Sequence, residues 1–551
     1  MFEAITTLFP VVLLLSLAGL SKKIHLSLLV SVVVAALLAT QFNIVNAISL
    51  LLERFLDNLE IQRLLSSPLK GWNIYICLFI FFLACFYQLT KQAGSIYVYA
   101  NYVKNKVKSS KRAEMMSLVF SFFLFFDDYL STLTVGTLMQ RVTDKFKISR
   151  MKLAFLVSSM SSSLVVLVPF SSWFAAFVSL FRENGIGDSI SSSTVILESP
   201  ATIYFMTIPY MAYPLLTVFV VYYIVLRGIS FGKMGEFEKA ALEGDLKGYT
   251  IDSKKIERKQ KGSFFSEEER KVDCRISDFF IPIMSFIFLV FLGLYLSVDG
   301  LSINPSDFLE TYFPSSACSL FLAAFITSLF TFFLYLKRGY LKFSDLNKVF
   351  KGAMKTAGPP IIMILLAWTF GDILSIDLNL GKVFSQILDY SVSLYTYPLL
   401  LFFLSALFTF LTGSAWSSAA ILLPLFLGVL RESLGDEEIR FLTMNGFILP
   451  SLGALFSGCV IGDQLSPISE TAIMTSSSVR INLLDHIYSQ LTYAIPVAIF
   501  STLSYFSLSF FNLPYTLAYF SLFMLLSFFI IILYLEIMNK YCRVKIKSIL
   551  K

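Results

Sequence analysis

Phe125-Phe126-Asp127-Asp128-Tyr129-Leu130-Ser131-Thr132 places two adjacent carboxylates inside an apolar run that extends over residues 113–142. In a bilayer, one carboxylate near the centre costs about 2.5–3.5 kcal/mol on insertion scales, and this run carries two. A bound cation, a proton or a polar cavity must offset that cost. The stretch therefore predicts a polar site inside an apolar segment.

The composition of the 551-residue chain indicates a protein that crosses a membrane many times, since 56% of its residues are hydrophobic and 15% are charged. Soluble proteins carry about 25% charged residues. Apolar stretches of about 18 or more residues recur along the chain, which favours spanning helices. We predict an all-α polytopic membrane protein with about eleven transmembrane helices, two re-entrant helical hairpins and broken helices.

The net charge and the cysteine and histidine content indicate which partners and cofactors to expect. The net charge of +7 lies in loops, where it reports membrane orientation, so no nucleic-acid partner is expected. The six cysteines lack metal-type spacing and only two histidines are present, so no cofactor is expected. The expected partners are the lipid bilayer and transported ions, and a homodimer is left open.

Basic residues predict the orientation of the chain. Lys22 and Lys23 follow the first apolar run and place the N-terminus outside, while the basic C-terminal tail is placed in the cytoplasm. Basic clusters also flank the run 113–142 on both sides. A single crossing would leave one cluster outside, whereas a re-entrant hairpin turning at Asp127–Thr132 leaves both inside. The two arms of this hairpin would have about 14 and about 12 residues. Each is too short to span the membrane, which favours a re-entrant hairpin.

Interrupted segments recur in the same order in both halves of the chain: first a hairpin, then a span broken by serine and proline. They lie at 113–142 and 153–181 in the first half and at 393–430 and 440–478 in the second. An odd number of spans in each half reverses the orientation of the second, which predicts an inverted-topology repeat. The predicted domains are a first repeat at 1–227, a charged cytoplasmic linker at 228–278, a second repeat at 279–510, and an extra transmembrane helix with a basic cytoplasmic tail at 511–551.

The four interrupted segments carry the candidate binding residues, because paired interruptions are the best sequence indication of a transport site. Their side chains offer oxygen, the ligand that a hard cation such as Na⁺ takes in place of water. A buried Asp can hold a proton or a cation but not both, which is exchange in its simplest form. The candidate ion- and proton-binding residues are Asp127, Asp128, Ser131, Thr132, Ser161, Ser162, Thr412, Ser414, Asp463, Ser466, Glu470 and Thr471. Within this set Na⁺ is assigned to Asp128, Asp463 and Thr412, and a proton relay is assigned to Asp485 and His486.

Simpler interpretations of these residues stay open. Asp and Ser at a hairpin tip also cap the helix that follows, and the serine run 158–163 also suits close packing between helices. Glu470 can lie in solvent near the inner end of its segment, Asp485 can be an ordinary helix N-cap, and Asp372 can lie at the outer boundary.

Several motifs together resemble the NhaC-type Na⁺/H⁺ antiporter family, over most of residues 70–510. They are Phe-Asp-Asp-Tyr at 126–129 followed by Leu-Thr-Val-Gly-Thr at 133–137, Val-Pro-Phe-Ser-Ser-Trp at 168–173, Thr-Gly-Ser-Ala-Trp at 412–416, Gly-Asp-Gln-Leu-Ser-Pro-Ile-Ser-Glu-Thr at 462–471, and Asp-His at 485–486. The resemblance implies a bacterial inner-membrane Na⁺/H⁺ exchanger of the ion transporter superfamily, with inverted repeats and paired re-entrant hairpins. Gln464 stands where the family often has His, and Glu470 where Asp is usual.

Three functions are compared. The first is exchange of Na⁺ or Li⁺ for H⁺ by alternating access, favoured because no Lys or Arg is seen at mid-span to hold an anionic substrate. The second is a Na⁺- or H⁺-coupled organic-acid exchanger of the malate/lactate type, since helix N-termini can bind a carboxylate without Arg. An intramembrane aspartyl protease using Asp372 and Asp463 is disfavoured, because Val460 breaks the Gly-x-Gly-Asp pattern of those enzymes. No enzymatic activity is expected.

Overall fold

The architecture is known from a computed structural model. The structure describes residues 9–10, 12–14, 16–17, 24–59, 73–187, 196–246, 274–296, 316–378, 396–416, 418–428, 447–467, 469–511 and 517–549.

Helices form almost all of the regular structure in these ranges. They run over Ile24–Ala39, Ile44–Asn58, Asn73–Ala93, Ser95–Lys106, Ser110–Phe123, Asp128–Lys145, Arg150–Leu167, Ser172–Glu183, Pro200–Thr207, Ala212–Arg227, Gly232–Glu243, Ser277–Leu296, Ser316–Lys337, Leu346–Asp372, Tyr397–Thr412, Ser418–Gly428, Ile448–Leu465, Glu470–Val479, Leu483–Phe511 and Leu517–Ile549. Short 3₁₀ turns lie at Ile208–Tyr210 and Phe343–Asp345, and one π-helical turn lies at Ile373–Asp377. The strands Ile186–Gly187 and Ile196–Leu197 pair in parallel.

Six of the described helices are long and apolar enough to cross a membrane, or seven if Pro200–Tyr210 and Ala212–Arg227, bent by 54°, form one span. The predicted all-α, multi-span character agrees with these helices. Most of the first apolar run, which precedes Lys22 and Lys23, lies outside the described residues. The total of about eleven spans stays a prediction.

A helical hairpin, which we call the first hairpin, occupies residues 110–145. Its first arm, Ser110–Phe123, is capped by Ser109, and its second arm begins at Asp128. Glu114, in the first arm, lies 3.0 Å from Lys152 Nζ, close to the start of the next helix. Since that helix follows the second arm after a four-residue loop, both arms meet at one end of the molecule. We call this the basic end, after Lys145, Arg150 and Lys152.

The helix that follows is interrupted at mid-length and forms the first broken helix. Its segments are Arg150–Leu167 and Ser172–Glu183, separated by extended backbone at Val168 and by Pro169. Ser171 caps the second segment by accepting a hydrogen bond from the backbone N–H of Phe174 at 3.2 Å. Proline suits this break because it lacks the N–H that a continuous helix would need.

The second broken helix has the same local plan. Its segments are Ile448–Leu465 and Glu470–Val479, and its first segment is 18 residues long, as in the first broken helix. Pro467 lies two residues after that segment, as Pro169 does, and Ser469 caps the next segment from the position that corresponds to Ser171. Each half of the chain therefore has one break, with a proline and a capping serine at matching positions.

The second hairpin comprises Tyr397–Thr412 and Ser418–Gly428, and it turns at Gly413, whose φ of 71° favours glycine. The rings of Tyr397 and Phe426 lie 6.2 Å apart, which brings the outer ends of both arms together. The Tyr397 ring also contacts Phe447. The second broken helix thus starts at the base of the second hairpin and ends near the basic end, where Val479 accepts a hydrogen bond from Gln140 at 3.3 Å.

Part of the predicted linker 228–278 is a packed helix. Glu238, on the helix Gly232–Glu243, accepts a hydrogen bond from the backbone N–H of Ser149 at 2.9 Å and lies 3.6 Å from Lys152 Nζ. Residues 247–273 of the linker lie outside the described residues. The domain boundaries predicted from the sequence stay predictions.

Candidate functional site

The tips of the two hairpins, around Asp127 and Gly413, and the two helix breaks, after Leu167 and Leu465, meet inside the molecule. In the first half, the backbone N–H of Ser172 donates to the carbonyl of Phe126 at 2.8 Å, joining the break to the tip. In the second half, the backbone N–H of Glu470 donates to the carbonyl of Gly413 at 3.3 Å. Each donor is the first residue of its helical segment, where backbone N–H groups lack intrahelical partners. In each half, therefore, the same kind of backbone hydrogen bond joins the break to the hairpin tip.

Asp463 lies in the last turn before the second break and is surrounded by hydroxyl groups. Its carboxylate accepts hydrogen bonds from Ser469 at 2.7 Å and from Thr471, both just after the break. Ser162, from the first broken helix, lies 3.5 Å from the same carboxylate. The side chain is 4% exposed. Thus Asp463 is a buried carboxylate at a point where the two halves of the chain touch.

Asp128 opens the second arm of the first hairpin and is 3% exposed. Its carboxylate accepts a hydrogen bond from the backbone N–H of Tyr129 at 3.0 Å. The carboxylates of Asp127 and Asp463 are near enough to interact with it electrostatically. A cation or a proton held among these groups would reduce the repulsion between like charges in a low-dielectric interior.

Asp127 is turned toward a different neighbour. One of its carboxylate oxygens accepts a hydrogen bond from the hydroxyl of Ser172 at 3.2 Å, at the first break. The two adjacent aspartates therefore accept hydrogen bonds from different elements: Asp128 from the backbone of its own helix at Tyr129, and Asp127 from Ser172 at the first break.

The serine and threonine candidates of the first half are buried and lie on two elements, Ser131 and Thr132 on the first hairpin and Ser161 and Ser162 on the first broken helix. Ser161 donates to Ser131 at 3.0 Å, which joins the first broken helix to the first hairpin. Thr132, which follows Ser131, has a buried hydroxyl without a hydrogen-bond partner among the described residues. That hydroxyl is available to a ligand, since buried polar groups are otherwise almost always hydrogen-bonded.

Thr412 and Ser414 make contacts within their own turn, whereas Ser466, at the second break, contacts the second hairpin. Thr412 is 3.2 Å from the hydroxyl of Ser418 and accepts from the backbone N–H of Ser414 at 3.3 Å. Ser466 donates to the carbonyl of Phe410 at 2.8 Å. Over the described residues, the hydrogen bonds of Thr412 stay within the second hairpin, so they do not join it to Asp128 and Asp463. The assignment of Na⁺ to these three together stays a prediction.

Glu470 is hydrogen-bonded to Tyr129 across the two halves. The Tyr129 hydroxyl donates to the Glu470 carboxylate at 2.7 Å, and both side chains are partly exposed. Reasoning from the sequence omitted Tyr129 from the site. Its position directly after Asp127-Asp128 is the signal that would have included it.

In the part of the chain that is described, no three His, Cys, Asp or Glu side chains converge as a metal-binding group. The carboxylate and hydroxyl oxygens around Asp463 are ligands of the kind that suits hard cations.

The model of the Na⁺/H⁺ antiporter family matches residues 164–510 of the chain. The chain belongs to the Na⁺/H⁺ antiporter family. It is accordingly a multi-pass membrane transporter and not an enzyme, as the sequence predicted.

The chain is also similar to two proteins of Haemophilus influenzae and to two solved transporter structures. An uncharacterized protein of Haemophilus influenzae is 24% identical over 507 residues, which cover 91% of this chain and 90% of that protein. An uncharacterized Na⁺/H⁺ antiporter of the same organism is 27% identical over 184 residues, which cover 33% of this chain and 36% of that protein. Among solved structures, the YdaH transporter of Alcanivorax borkumensis has a TM-score of 0.45 and 11% identity, covering 82% of this chain and 90% of its own. Neisseria gonorrhoeae MtrF, from a class of antimetabolite efflux pumps, has a TM-score of 0.44 and 13% identity, covering 84% of each chain.

The two aspartates of the disfavoured protease hypothesis belong to different clusters in this antiporter-family protein. Asp372 accepts a hydrogen bond from Asn58 at 2.8 Å, and Arg54 and Asp377 are among its charge partners. Asp463 interacts instead with Ser469, Thr471 and Ser162.

The candidates for a proton relay lie on the helix Leu483–Phe511. Asn482, rather than Asp485, caps this helix, because its side chain accepts from the backbone N–H groups of Leu484 and Asp485. His486 is fully buried, and neither of its ring nitrogens has a hydrogen-bond partner among the described residues. No hydrogen bond in the described ranges joins either residue to Asp128 or Asp463, so the relay stays a prediction.

Proposed function

We propose that this protein exchanges Na⁺ or Li⁺ for H⁺ across the bacterial inner membrane by alternating access, with Asp128 and Asp463 as the carboxylates that hold either ion. The observation that supports it most is the burial of both carboxylates where the two halves of the chain meet, with the hydroxyl groups of Ser469, Thr471 and Ser162 against Asp463. When the cation leaves, a proton relieves the repulsion between the carboxylates, so release of one ion is coupled to binding of the other.

The proposal includes an inverted-topology repeat. Its support is local: each half has a hairpin, then a broken helix with a proline and a capping serine at matching positions, and a backbone hydrogen bond from break to tip. The first hairpin has its base at the basic end, and the second broken helix runs toward that end from the base of the second hairpin. In this arrangement the N-terminus is outside and the C-terminus cytoplasmic, following the positive-inside bias.

An organic anion is the weaker candidate substrate. Helix N-termini attract anions, and the segment Glu470–Val479 offers one at the site. Its first residue, however, is itself an acid, and Ser469 already occupies the backbone N–H of Ala472 at 3.1 Å. A carboxylate ligand would meet negative charge there, whereas a cation would not.

Everted membrane vesicles test the proposal. We expect Na⁺ or Li⁺, but not K⁺, to collapse an imposed pH gradient in vesicles that carry the protein, prepared from a host without its own Na⁺/H⁺ antiporters. Vesicles without the protein are the control. A gradient that Na⁺ leaves intact from mildly acidic to alkaline pH would contradict the proposal, and Na⁺- or H⁺-coupled uptake of labelled malate or lactate into proteoliposomes would replace it with the organic-acid function.

The two adjacent aspartates are expected to respond differently to neutralisation. Asp128→Asn removes a carboxylate that interacts with Asp463, so exchange should be lost. Asp127→Asn keeps an oxygen that can accept the hydrogen bond from Ser172, so exchange should persist with a higher half-saturating Na⁺ concentration. The measurement is the Na⁺ dependence of gradient collapse at several pH values. Wild-type activity in Asp128→Asn would remove Asp128 from the site.

A further inference from the structure

We infer that Glu470 and Tyr129 are positioning residues that hold the two hairpin tips together around Asp128 and Asp463, and that Glu470 acts here through its hydrogen bond and not through its charge. The inference rests on the proposed function, whose site it deepens.

Glu470 contacts both hairpin tips at once. Its backbone N–H donates to the carbonyl of Gly413, in the tip of the second hairpin, at 3.3 Å. Its side chain accepts a hydrogen bond at 2.7 Å from the hydroxyl of Tyr129, in the tip of the first hairpin. One residue in the first turn after the second break therefore fixes the separation of the two tips.

Tyr129 connects its contact with Glu470 to the Asp128 carboxylate. Its backbone N–H donates to the Asp128 carboxylate at 3.0 Å, so the position of the Tyr129 main chain determines where that carboxylate lies. Without the hydrogen bond to Glu470, the first hairpin would lose a polar link to the segment that follows Asp463. A change of about 1 Å in the position of a binding group is enough to cost on the order of 100-fold in activity.

The corresponding contact in the other half of the chain is made without charged groups. Trp416 lies three residues after Gly413, as Tyr129 lies three residues after Phe126. Its ring centroid is 5.0 Å from that of Trp173, which is next to Ser172 in the first broken helix, and 6.0 Å from that of Phe177. Each tip thus places an aromatic side chain on the second segment of the opposite broken helix. In one case the contact is a buried pair of indole rings, and in the other it is a tyrosine–glutamate hydrogen bond.

Substitutions of Glu470 separate a hydrogen-bonding role from a charge role. Glu470→Gln keeps an acceptor oxygen at the same reach but loses the charge, whereas Glu470→Asp keeps the charge but is shorter by one methylene. We expect Tyr129→Phe and Glu470→Asp each to raise the Na⁺ concentration for half-maximal exchange on the order of tenfold, the upper end of what a lost hydrogen bond typically costs. Glu470→Gln should stay within about twofold of wild type, since its amide oxygen accepts the same hydrogen bond.

A second Tyr–Glu pair provides the matched control. Tyr223 donates to Glu536 at 2.8 Å, between helices that carry none of the site residues. Tyr223→Phe and Glu536→Asp should leave the Na⁺ dependence of exchange unchanged. A Glu470→Gln variant that is as impaired as Glu470→Asp, or a Glu470→Asp variant with wild-type Na⁺ dependence, would overturn the inference.

Thermal unfolding of the purified protein tests the link without transport. The double variant Tyr129→Phe/Glu470→Asp should melt no lower than the more destabilised single variant, because both substitutions break one hydrogen bond. Additive losses in melting temperature would overturn the link. If wild-type vesicles show no Na⁺/H⁺ exchange, the proposed function fails, while this cycle still reports on the contact between the tips.

Discussion

Asp463→Asn is expected to reduce Na⁺-dependent proton release about 100-fold, because a hydrogen bond to a charged group contributes up to about 3 kcal/mol, and each 1.4 kcal/mol is tenfold. Asparagine has nearly the same shape as aspartate and can still accept a hydrogen bond from Ser469. It can neither take up a proton nor carry the charge that attracts a cation. The substitution therefore removes the chemistry of exchange while it preserves the packing of the second break.

The measurement is gradient collapse in everted vesicles, with expression and melting temperature recorded for each variant. Asp372→Asn is the matched control, since Asp372 is an aspartate of another cluster and is hydrogen-bonded to Asn58. It should retain exchange. Asp463→Asn with wild-type Na⁺ dependence would show that Asp463 binds neither ion, and the proposed site would have to be placed elsewhere.

Features that depend on neighbouring residues could be predicted from the sequence. Basic clusters on both sides of 113–142 indicated a hairpin, and the structure has helices at Ser110–Phe123 and Asp128–Lys145 with a turn between them. Proline and serine after residue 167 and after residue 465 likewise indicated the breaks. Local charge and backbone chemistry determine such features, so a single sequence contains them.

Contacts between the halves could not be predicted in the same way. Nothing near Tyr129 in the sequence indicates that its hydroxyl meets Glu470, which is 341 positions away. The different neighbours of Asp127 and Asp128 also depend on how the first hairpin packs against both breaks. For the same reason Thr412 was grouped with Asp128 and Asp463 by residue type, although its described hydrogen bonds lie within its own hairpin.

Gly458→Ala is expected to destabilise the protein by about 1–3 kcal/mol or more, the range for a side chain inserted into a packed interior. The second broken helix packs here directly against the first arm of the second hairpin. A methyl group at Gly458 would overlap Ser405 Oγ and the carbonyl of Phe402, and would lie 2.9 Å from the backbone nitrogen of Ala406. Two of these atoms belong to the backbone, so a rotation of the serine side chain cannot relieve the overlap. Small residues permit such close helix contacts in membrane proteins.

The matched control is Gly371→Ala, because Gly371 is also helical and an added methyl group would have its nearest neighbour, Pro424 Cγ, at 3.7 Å. Thermal unfolding in detergent should show a lower melting temperature for Gly458→Ala and little change for Gly371→Ala. Equal melting temperatures for the two variants would mean that the two helices can move apart without loss of stability. In that case the close contact could not be what fixes the position of Asp463, which lies five residues further along the same helix.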